Sequence, residues 1–154
     1  DFDNYKNMIG AFYQPRLVYM NMDTLKTLPD DQFASGMAEI LKSAYIRDAE
    51  FALWLQKNRQ NVSSRDPDTL AHIIRKCCEI KACVVSDDPG ETGLRAILNF
   101  GHTLGHAVEK LKNFTMLHGH CVAAGMAAAG YLSVKRGYIS EEEYQFILEM
   151  NRNF

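Results

Sequence analysis

The residues best suited to chemistry are histidines that recur at short spacing. His102 and His106 lie four positions apart, and the segment 118–120 reads His-Gly-His. Two imidazoles four residues apart share one face of an α-helix, a common spacing for binding a metal ion. Glu39 offers a carboxylate for the same ion. The spacing therefore predicts a metal site of two histidines and a glutamate, with His102 and His106 as the obvious pair, and leaves the metal and the reaction open.

A polar stripe accompanies these histidines. If residues 91–112 form one helix, its polar side chains fall within about 40° of a common direction and its apolar side chains face a core on the opposite side. The stripe contains Arg95, Asn99, His102, His106 and Glu109, and the apolar side contains Ile97, Phe100, Leu104, Ala107 and Val108. A solvated face is one interpretation of the stripe. Its two histidines and its lack of lysine favour the wall of a cleft.

Glu39 and Lys42 also have two interpretations. They lie three residues apart, so on a helix they could form a surface ion pair worth about 0.2–0.5 kcal/mol. Their neighbours in the segment 36–42 are mostly apolar, which equally allows both side chains a place in a site.

Helices must position these residues. N-cap candidates at Asp23-Thr24 and a stop at Pro29 predict a short first helix. Apolar residues at helical spacing and a capping pattern at Ser140 predict six further helices, over 31–46, 48–58, 68–85, 91–112, 118–136 and from 140 onward. The 118–136 segment is rich in alanine and glycine, so other helices can approach it closely, and we place it in the middle of a bundle. Residues 16–20 form a strand-like run for which no partner strand is visible downstream. The predicted fold class is mainly α, a helical bundle domain with a short N-terminal strand segment.

Composition limits the class of protein. The 154 residues, 47% hydrophobic and 23% charged, predict one globular domain, and the net charge of −2 gives no basic footprint for nucleic acid. No apolar run approaches the ~20 residues of a membrane helix, and no signal peptide is recognisable. The four cysteines form no C-x-x-C pair, which favours a reduced, cytoplasmic setting. The chain begins with Asp1 rather than methionine, so we expect a piece of a longer protein.

Four segments of the chain resemble the 3-dehydroquinate synthase family. Residues 93–109 (GLRAILNFGHTLGHAVE) resemble its signature, as do the segments 6–15 (KNMIGAFYQP), 36–42 (GMAEILK) and 117–119 (LHG), in the family's order. The family's enzymes are longer. The resemblance therefore implies a C-terminal metal- and substrate-binding domain separated from an N-terminal NAD-binding α/β domain. Residues 1–22 would form an inter-domain strand and substrate-pocket segment, and residues 23–154 the helical domain.

The resemblance also implies an activity. It implies a lyase of the shikimate pathway, and thus of chorismate and aromatic amino-acid biosynthesis. The enzyme would convert the sugar phosphate 3-deoxy-D-arabino-heptulosonate 7-phosphate to 3-dehydroquinate with loss of phosphate. The implied cofactors are zinc, for which Co²⁺ could substitute, and NAD in the full-length enzyme. The implied assembly is a homodimer, with no nucleic-acid or membrane partner. The chain alone is expected to be inactive, since NAD would have nowhere to bind.

Site roles follow by motif position. The implied zinc ligands are Glu39, His102 and His118. His106 then contacts the substrate phosphate and carries a proton, against the spacing argument that makes it a ligand, and we follow the family. The implied catalytic residues are His106, Lys42 and Glu91, and the implied substrate-binding residues are Lys6, Asn7, Lys42, Lys81, Arg95, Asn99 and His106.

One departure from the family and several alternatives remain open. After His118-Gly119 the family usually has glutamate, and this chain has His120, which could alter metal affinity or add a ligand. A second candidate is another sugar-phosphate cyclase, such as a 2-deoxy-scyllo-inosose or 2-epi-valiolone synthase. A metal-dependent alcohol or glycerol dehydrogenase fits these motifs less well. A catalytically dead helical binding module is the alternative outside the enzymes, and metal content would discriminate it.

Overall fold

The fold is an arrangement of α-helices joined by short loops. The computed structural model describes residues 9–11, 13 and 15–154. Within them lie the helices α1 (Asp30–Arg47), α2 (Ala49–Lys57), α3 (Arg59–Ser63), α4 (Pro67–Asp87), α5 (His102–Leu111), α6 (His118–Lys135) and α7 (Glu141–Asn153). Two short 3₁₀ helices span Met22–Thr27 and Leu94–Asn99. The predicted mainly-α bundle is confirmed.

The prediction of a short N-terminal strand segment is wrong. Residues 16–20 join no sheet, and the described part of the chain contains no strand. Leu17, Val18 and Tyr19 are all exposed. A strand is stable only when its backbone N–H and C=O groups pair with a neighbouring strand, and the described residues supply none.

The helices begin where local hydrogen bonds favour it. Asp48 accepts from the N–H of Phe51 at the start of α2, and Asp66 accepts from the N–H of Thr69 at the start of α4. Ser140 and Glu143 form the predicted capping box of α7. Each such cap satisfies N–H groups that the helix leaves free, and is worth about 1 kcal/mol. The five-residue α3 was not predicted, because its start lacks a side-chain cap.

An apolar core lies between α1, α2, α4 and α7. Its largest fully buried side chains include Met37 and Leu41 from α1, Phe51 from α2, Ile73 from α4 and Met150 from α7. Burying a side chain of this size contributes about 1.5–3 kcal/mol. The 3₁₀ helix Met22–Thr27 also packs here, through Met22 and Leu25.

The single helix predicted over 91–112 is wrong. The 3₁₀ helix Leu94–Asn99 ends at Phe100, and α5 starts after Gly101, whose φ of 78° is left-handed. A Cβ at Gly101 would lie 2.6 Å from the Cγ of Met126 in α6. The chain therefore needs glycine here both for the turn and for the close approach.

The break changes which side of α5 is buried. Arg95 and Asn99 precede the turn, so they do not share a helix face with His102 and His106. The predicted apolar face is partly open, with Leu104 40% exposed, whereas Gly105 and Glu109 are buried. The reason is that α5 rests on α6 through Gly105 and the preceding Gly101 rather than through its large apolar side chains.

The predicted central place of α6 is confirmed. It packs against α1, α5 and α7. A Cβ added to Gly125 would collide with the carbonyl oxygen of Gly101, and one added to Gly105 would lie 3.0 Å from the carbonyl oxygen of Cys121. These small residues bring α5 and α6 into near backbone contact, which sets the position of the histidines.

Two further properties concern surface and thiols. Within the described ranges, no helix combines the length and the apolar character needed to cross a membrane. All four cysteines are free thiols: Cys121 is buried, Cys77 is half-buried, and Cys78 and Cys83 are exposed.

Candidate metal and substrate site

Four predicted site residues meet where α1, α5 and α6 converge. Glu39 lies in the middle of α1, His102 and His106 in the first two turns of α5, and His118 is the first residue of α6. The ring centroid of His118 lies 5.2 Å from that of His102 and 5.7 Å from that of His106. We call these four residues the metal corner.

The start of α6 is held directly against α1. The N–H of Gly119 donates to the Oγ of Ser35 over 3.0 Å, and a Cβ at Gly119 would collide with the carbonyl oxygen of Ser35. Ser35 and Glu39 are four residues apart on α1, so they share one helix face. The same contact therefore brings His118 beside Glu39.

The two carboxylate oxygens of Glu39 have different surroundings. Oε2 accepts from the Nζ of Lys42 over 2.6 Å. Oε1 is buried, lies 3.5 Å from Nε2 of His102 and 3.6 Å from Nε2 of His118, and has no hydrogen-bond partner among the described residues. The predicted Glu39–Lys42 ion pair exists, and it is half-buried, because the Lys42 side chain is only 9% exposed whereas that of Glu39 is 40% exposed.

This arrangement fits a zinc ion. A buried carboxylate oxygen with no partner costs about 1–3 kcal/mol or more, and a cation beside it would remove that cost. One carboxylate oxygen and two imidazole nitrogens are donors that zinc binds, and three protein ligands leave a position for substrate. His118 is 38% exposed, so the corner is open on one side.

The other ring nitrogens point at acceptors. Nδ1 of His102 lies 3.2 Å from the carbonyl oxygen of Phe100, and Nδ1 of His118 lies 3.4 Å from Oε2 of Glu109. A carbonyl or carboxylate oxygen can only accept, so these two contacts favour the tautomer with its proton on Nδ1, which would leave a lone pair on Nε2 for a metal ion. Burial lowers the pKa of His102, and the charge of Lys42 adds to this against the opposite effects of the Phe100 carbonyl and Glu39. A neutral imidazole is the form that binds metal.

His106 makes a second donor set conceivable. The donor atoms of His102, His106 and His118 all lie within 4.8 Å of one another. His106 is exposed, however, whereas Oε1 of Glu39 is buried without a partner. The set with Glu39 therefore relieves an energetic cost that the three-histidine set leaves in place.

Glu91 lies in the loop after α4, and Arg95 is the second residue of the 3₁₀ helix that follows. Nε of Arg95 is 3.8 Å from Oε2 of Glu91, and Arg95 is the less exposed of the two side chains. Glu91 has a left-handed backbone with a φ of 54°, which is rare for a residue with a Cβ. The two charged groups thus sit together on a tightly turned segment.

The remaining predicted substrate residues are dispersed. Lys81 is exposed on α4, and Lys6 and Asn7 lie outside the described residues. Asn99 is exposed and lines a groove of about 1010 Å³ between the second 3₁₀ helix, α5, α6 and α7. That groove is walled mainly by apolar residues and contains none of the histidines, so it does not suit a phosphate group.

Sequence reasoning missed the residue that organises this loop. The buried Asp88 carboxylate accepts from the N–H groups of Thr92, Gly93 and Arg95, each over 2.9 Å. These hydrogen bonds lower its pKa from 3.8 to about 2. We call residues 88–95 the loop corner. The available signal was an aspartate in a Pro- and Gly-containing loop, where its side chain commonly bonds to backbone further along.

The fold and the metal corner define a class: helical domains that offer a carboxylate and two imidazoles to a metal ion. Residues 36–154 match the family model for the 3-dehydroquinate synthase C-terminal region, and residues 1–35 match that for the 3-dehydroquinate synthase N-terminal region. The chain belongs to the 3-dehydroquinate synthase family. The two family models meet inside α1, the helix that carries Glu39.

Curated relatives agree with this family. The chain is 47% identical over 142 residues to 3-dehydroquinate synthase of Acetivibrio thermocellus, covering 92% of this chain and 39% of that protein. It is 47% identical over 146 residues to that of Methylococcus capsulatus, covering 94% and 41%. The relative from Pseudoalteromonas atlantica is 46% identical over 150 residues, covering 97% and 42%. The chain thus spans about two fifths of the length of these relatives.

A solved structure has the same fold. ValA (2-epi-5-epi-valiolone synthase) from Streptomyces hygroscopicus subsp. jinggangensis 5008, with NAD⁺ and Zn²⁺ bound, superimposes with a TM-score of 0.84 at 28% sequence identity. The match covers 96% of this chain and 41% of ValA.

Proposed function

We propose that the chain is the metal- and substrate-binding part of a 3-dehydroquinate synthase. The reaction is the NAD- and zinc-dependent cyclisation of 3-deoxy-D-arabino-heptulosonate 7-phosphate to 3-dehydroquinate with phosphate elimination, in the shikimate pathway of the cytoplasm. Relatives at about 47% identity carry that name. The observation that carries the proposal is the buried, unpartnered Oε1 of Glu39 between Nε2 of His102 and Nε2 of His118.

We assign Glu39, His102 and His118 as the zinc ligands. The neighbour ValA carries Zn²⁺ and NAD⁺, which supports both cofactors. Zinc would act as a Lewis acid toward a substrate hydroxyl, and NAD held by the rest of the protein would accept and return a hydride. Lys42 holds the second carboxylate oxygen of Glu39, so it keeps Oε1 directed at the two imidazoles.

His106 and Lys42 supply the chain's own proton and charge chemistry. His106 lies one turn beyond His102, exposed, with its ring 5.3 Å from that of His102. It can contact the substrate phosphate and move a proton without being a ligand, since imidazole both accepts and donates protons near neutral pH. Lys42 places a positive charge beside the same corner, where an anionic substrate would be attracted.

The loop corner would bind the other end of the substrate. Arg95 can hold a carboxylate through two parallel N–H donors, which Lys81 as a point charge cannot. Glu91 beside Arg95 is the third catalytic candidate. Asn99 would bind substrate hydroxyl groups, and Lys6 and Asn7, in the segment 1–22, would complete the pocket.

The rest of the assembly follows the same proposal. Residues 23–154 would form the helical domain, which the packing of the first 3₁₀ helix on the apolar core supports. The N-terminal NAD-binding domain and a homodimer would complete the enzyme, so the chain alone is expected to be inactive.

The likeness to ValA favours one second candidate. Another sugar-phosphate cyclase would share the metal corner, because the fold match covers nearly the whole chain. A sugar-phosphate substrate without a carboxylate would leave Arg95 without an anionic partner at that end of the substrate. The charge of Arg95 therefore favours the heptulosonate.

Zinc content and substrate choice test the proposal in the complete protein that carries this chain. We expect about one zinc per protomer by elemental analysis, lost in Glu39→Ala, His102→Ala and His118→Ala. His106→Ala, one turn away on the same helix, is the matched control: it should keep zinc and lose turnover by about 100-fold or more.

Two results would contradict parts of this proposal. Stoichiometric zinc in His102→Ala would refute the ligand set. Phosphate release from a carboxylate-free sugar phosphate, with none from the heptulosonate, would select the second candidate.

A further inference from the structure

Glu109 has an unusual environment for a glutamate. It lies in the last turn of α5, and its side chain is only 8% exposed. A buried carboxylate loses hydration, and the C-terminal end of a helix disfavours negative charge. Two costs therefore act on this residue, and a specific role would account for its presence.

One contact that helps to offset these costs is with His118. Oε2 of Glu109 lies 3.4 Å from Nδ1 of His118, while Nε2 on the opposite side of the ring faces Oε1 of Glu39. The ring thus lies between two carboxylates. Only the tautomer with its proton on Nδ1 can donate to Glu109 and keep a lone pair on Nε2.

We propose that Glu109 is a positioning residue of the metal corner, which fixes the tautomer and the orientation of His118. This inference rests on the proposed function, since it assumes that Nε2 of His118 binds the metal. For His102 the corresponding acceptor is a backbone oxygen, the carbonyl of Phe100. The turn at Gly101 fixes the position of that carbonyl. His118 is the first residue of α6, and its acceptor is a side chain on another helix.

The carboxylate beside Nδ1 of His118 comes from the last turn of the neighbouring helix α5. Hydrogen-bonded carboxylates behind a metal-binding histidine typically raise metal affinity by about 10–100-fold.

The first experiment measures metal affinity in the complete protein after removal of metal. Glu109→Ala should weaken zinc binding by about 10–100-fold, measured by competition with a chromophoric chelator. The visible absorption bands of the Co²⁺-substituted protein should shift in the same variant. Glu109→Gln should restore most of the affinity, because an amide oxygen still accepts from Nδ1–H. Asp48→Ala is the matched control: it removes an acid that caps α2 and pairs with Lys76, and should leave affinity unchanged.

The second experiment requires no metal. Nitrogen-detected NMR of ¹⁵N-histidine protein should show the His118 proton on Nδ1 in the metal-free wild type and in Glu109→Gln, and a mixture of tautomers in Glu109→Ala. Wild-type zinc affinity with an unchanged Co²⁺ spectrum in Glu109→Ala would overturn the inference, as would a His118 proton on Nε2 in the wild type. A wild type that binds no zinc yet shows the Nδ1 tautomer would refute the proposed function and leave the Glu109–His118 contact standing. If Glu109→Ala does not fold, the tautomer in the wild type decides.

Discussion

The metal corner and the loop corner are built in opposite ways. The metal corner joins residues up to about 80 positions apart, from Glu39 to His118, and depends on near backbone contact between helices. The loop corner is organised within eight residues by one carboxylate, Asp88, that accepts backbone N–H groups. The first is a product of packing and the second of local hydrogen bonding.

This difference separates the two halves of the proposed chemistry. In the metal corner the donor atoms face one another in a partly buried place, and one oxygen of Glu39 has no partner among the described residues. In the loop corner the charges of Glu91 and Arg95 are more accessible and the backbone beneath them is satisfied. Packing changes should therefore damage metal binding first, whereas loop changes should damage substrate binding and spare the metal.

The largest effect on stability and zinc affinity is expected from Gly125→Ala. The added Cβ would collide with the carbonyl oxygen of Gly101 and lie 2.8 Å from the backbone nitrogen of Gly105. Since both neighbours are backbone, α5 must move away from α6, and His102 with it. We expect the free energy of unfolding to fall by about 1–3 kcal/mol, with a weaker zinc affinity, measured by urea unfolding and chelator competition.

Gly36→Ala is the matched control. Gly36 is an exposed helical glycine with nothing within 4 Å of its added Cβ. Alanine there should keep or raise the free energy of unfolding, by up to about 1 kcal/mol. Equal stability of Gly125→Ala and the wild type would show that the α5–α6 contact is not tight.

The next largest effect, on kcat/KM, is expected from Asp88→Asn, which changes the loop corner alone. One carboxylate oxygen becomes an amide NH₂, so either the N–H of Thr92, which donates to Oδ1, or those of Gly93 and Arg95, which donate to Oδ2, lose their acceptor. We expect zinc content to stay at the wild-type value while kcat/KM falls by up to about 100-fold, because Arg95 is misplaced. The adjacent Asp87→Asn, which breaks only an exposed pair with Arg47, should leave both unchanged.

The same carboxylate predicts a pH dependence. The pKa of Asp88 is lowered from 3.8 to about 2 in the folded chain, so the folded state binds its proton less readily than the unfolded state. Its stabilising effect is therefore complete above about pH 4 and is lost as the pH falls toward 2. In metal-free protein, the difference in unfolding free energy between wild type and Asp88→Asn should shrink over that interval. A constant difference would contradict the assignment.

The sequence correctly predicted the features that depend on residues close together along the chain. Apolar spacing placed α1 within a residue or two, since Met37, Leu41 and Ala44 recur on one face. Apolar spacing failed between Arg95 and His102, where it predicted one continuous helix. The left-handed turn at Gly101 depends on the close approach of α6, and the spacing of residues within one segment carries no information about that approach. Residue types and spacing suggested the kind of metal site, and the family resemblance named the ligand set, which stays a prediction.

Some contacts in the site could not be predicted from the sequence for the same reason. Glu109 was placed on a polar stripe, yet it is buried, because Gly105, four residues before it, packs that side of α5 against α6. Ser35 gave no signal at all, since its partner Gly119 lies 84 residues away. Contacts of this kind depend on the relative position of two helices, which no local pattern fixes.

The smallest effect is expected from Ser35→Ala, at the joint between α1 and α6. The Oγ of Ser35 accepts from the N–H of Gly119, so it serves as a cap for α6 from another helix. Removing a cap of this kind should cost about 1 kcal/mol in the free energy of unfolding. Because Gly119 follows His118 directly, we also expect zinc affinity to fall severalfold, less than in Glu109→Ala.

Ser133→Ala separates this capping effect from the mere loss of a serine. The Oγ of Ser133 donates to the carbonyl oxygen of Ala129 within α6, far along the helix from His118. That bond returns to a carbonyl already used by the helix, so its loss should change unfolding free energy by less than about 0.5 kcal/mol and zinc affinity not at all. If Ser35→Ala and Ser133→Ala behave alike, the metal corner does not depend on the cap, and packing of the glycines alone holds His118 beside Glu39.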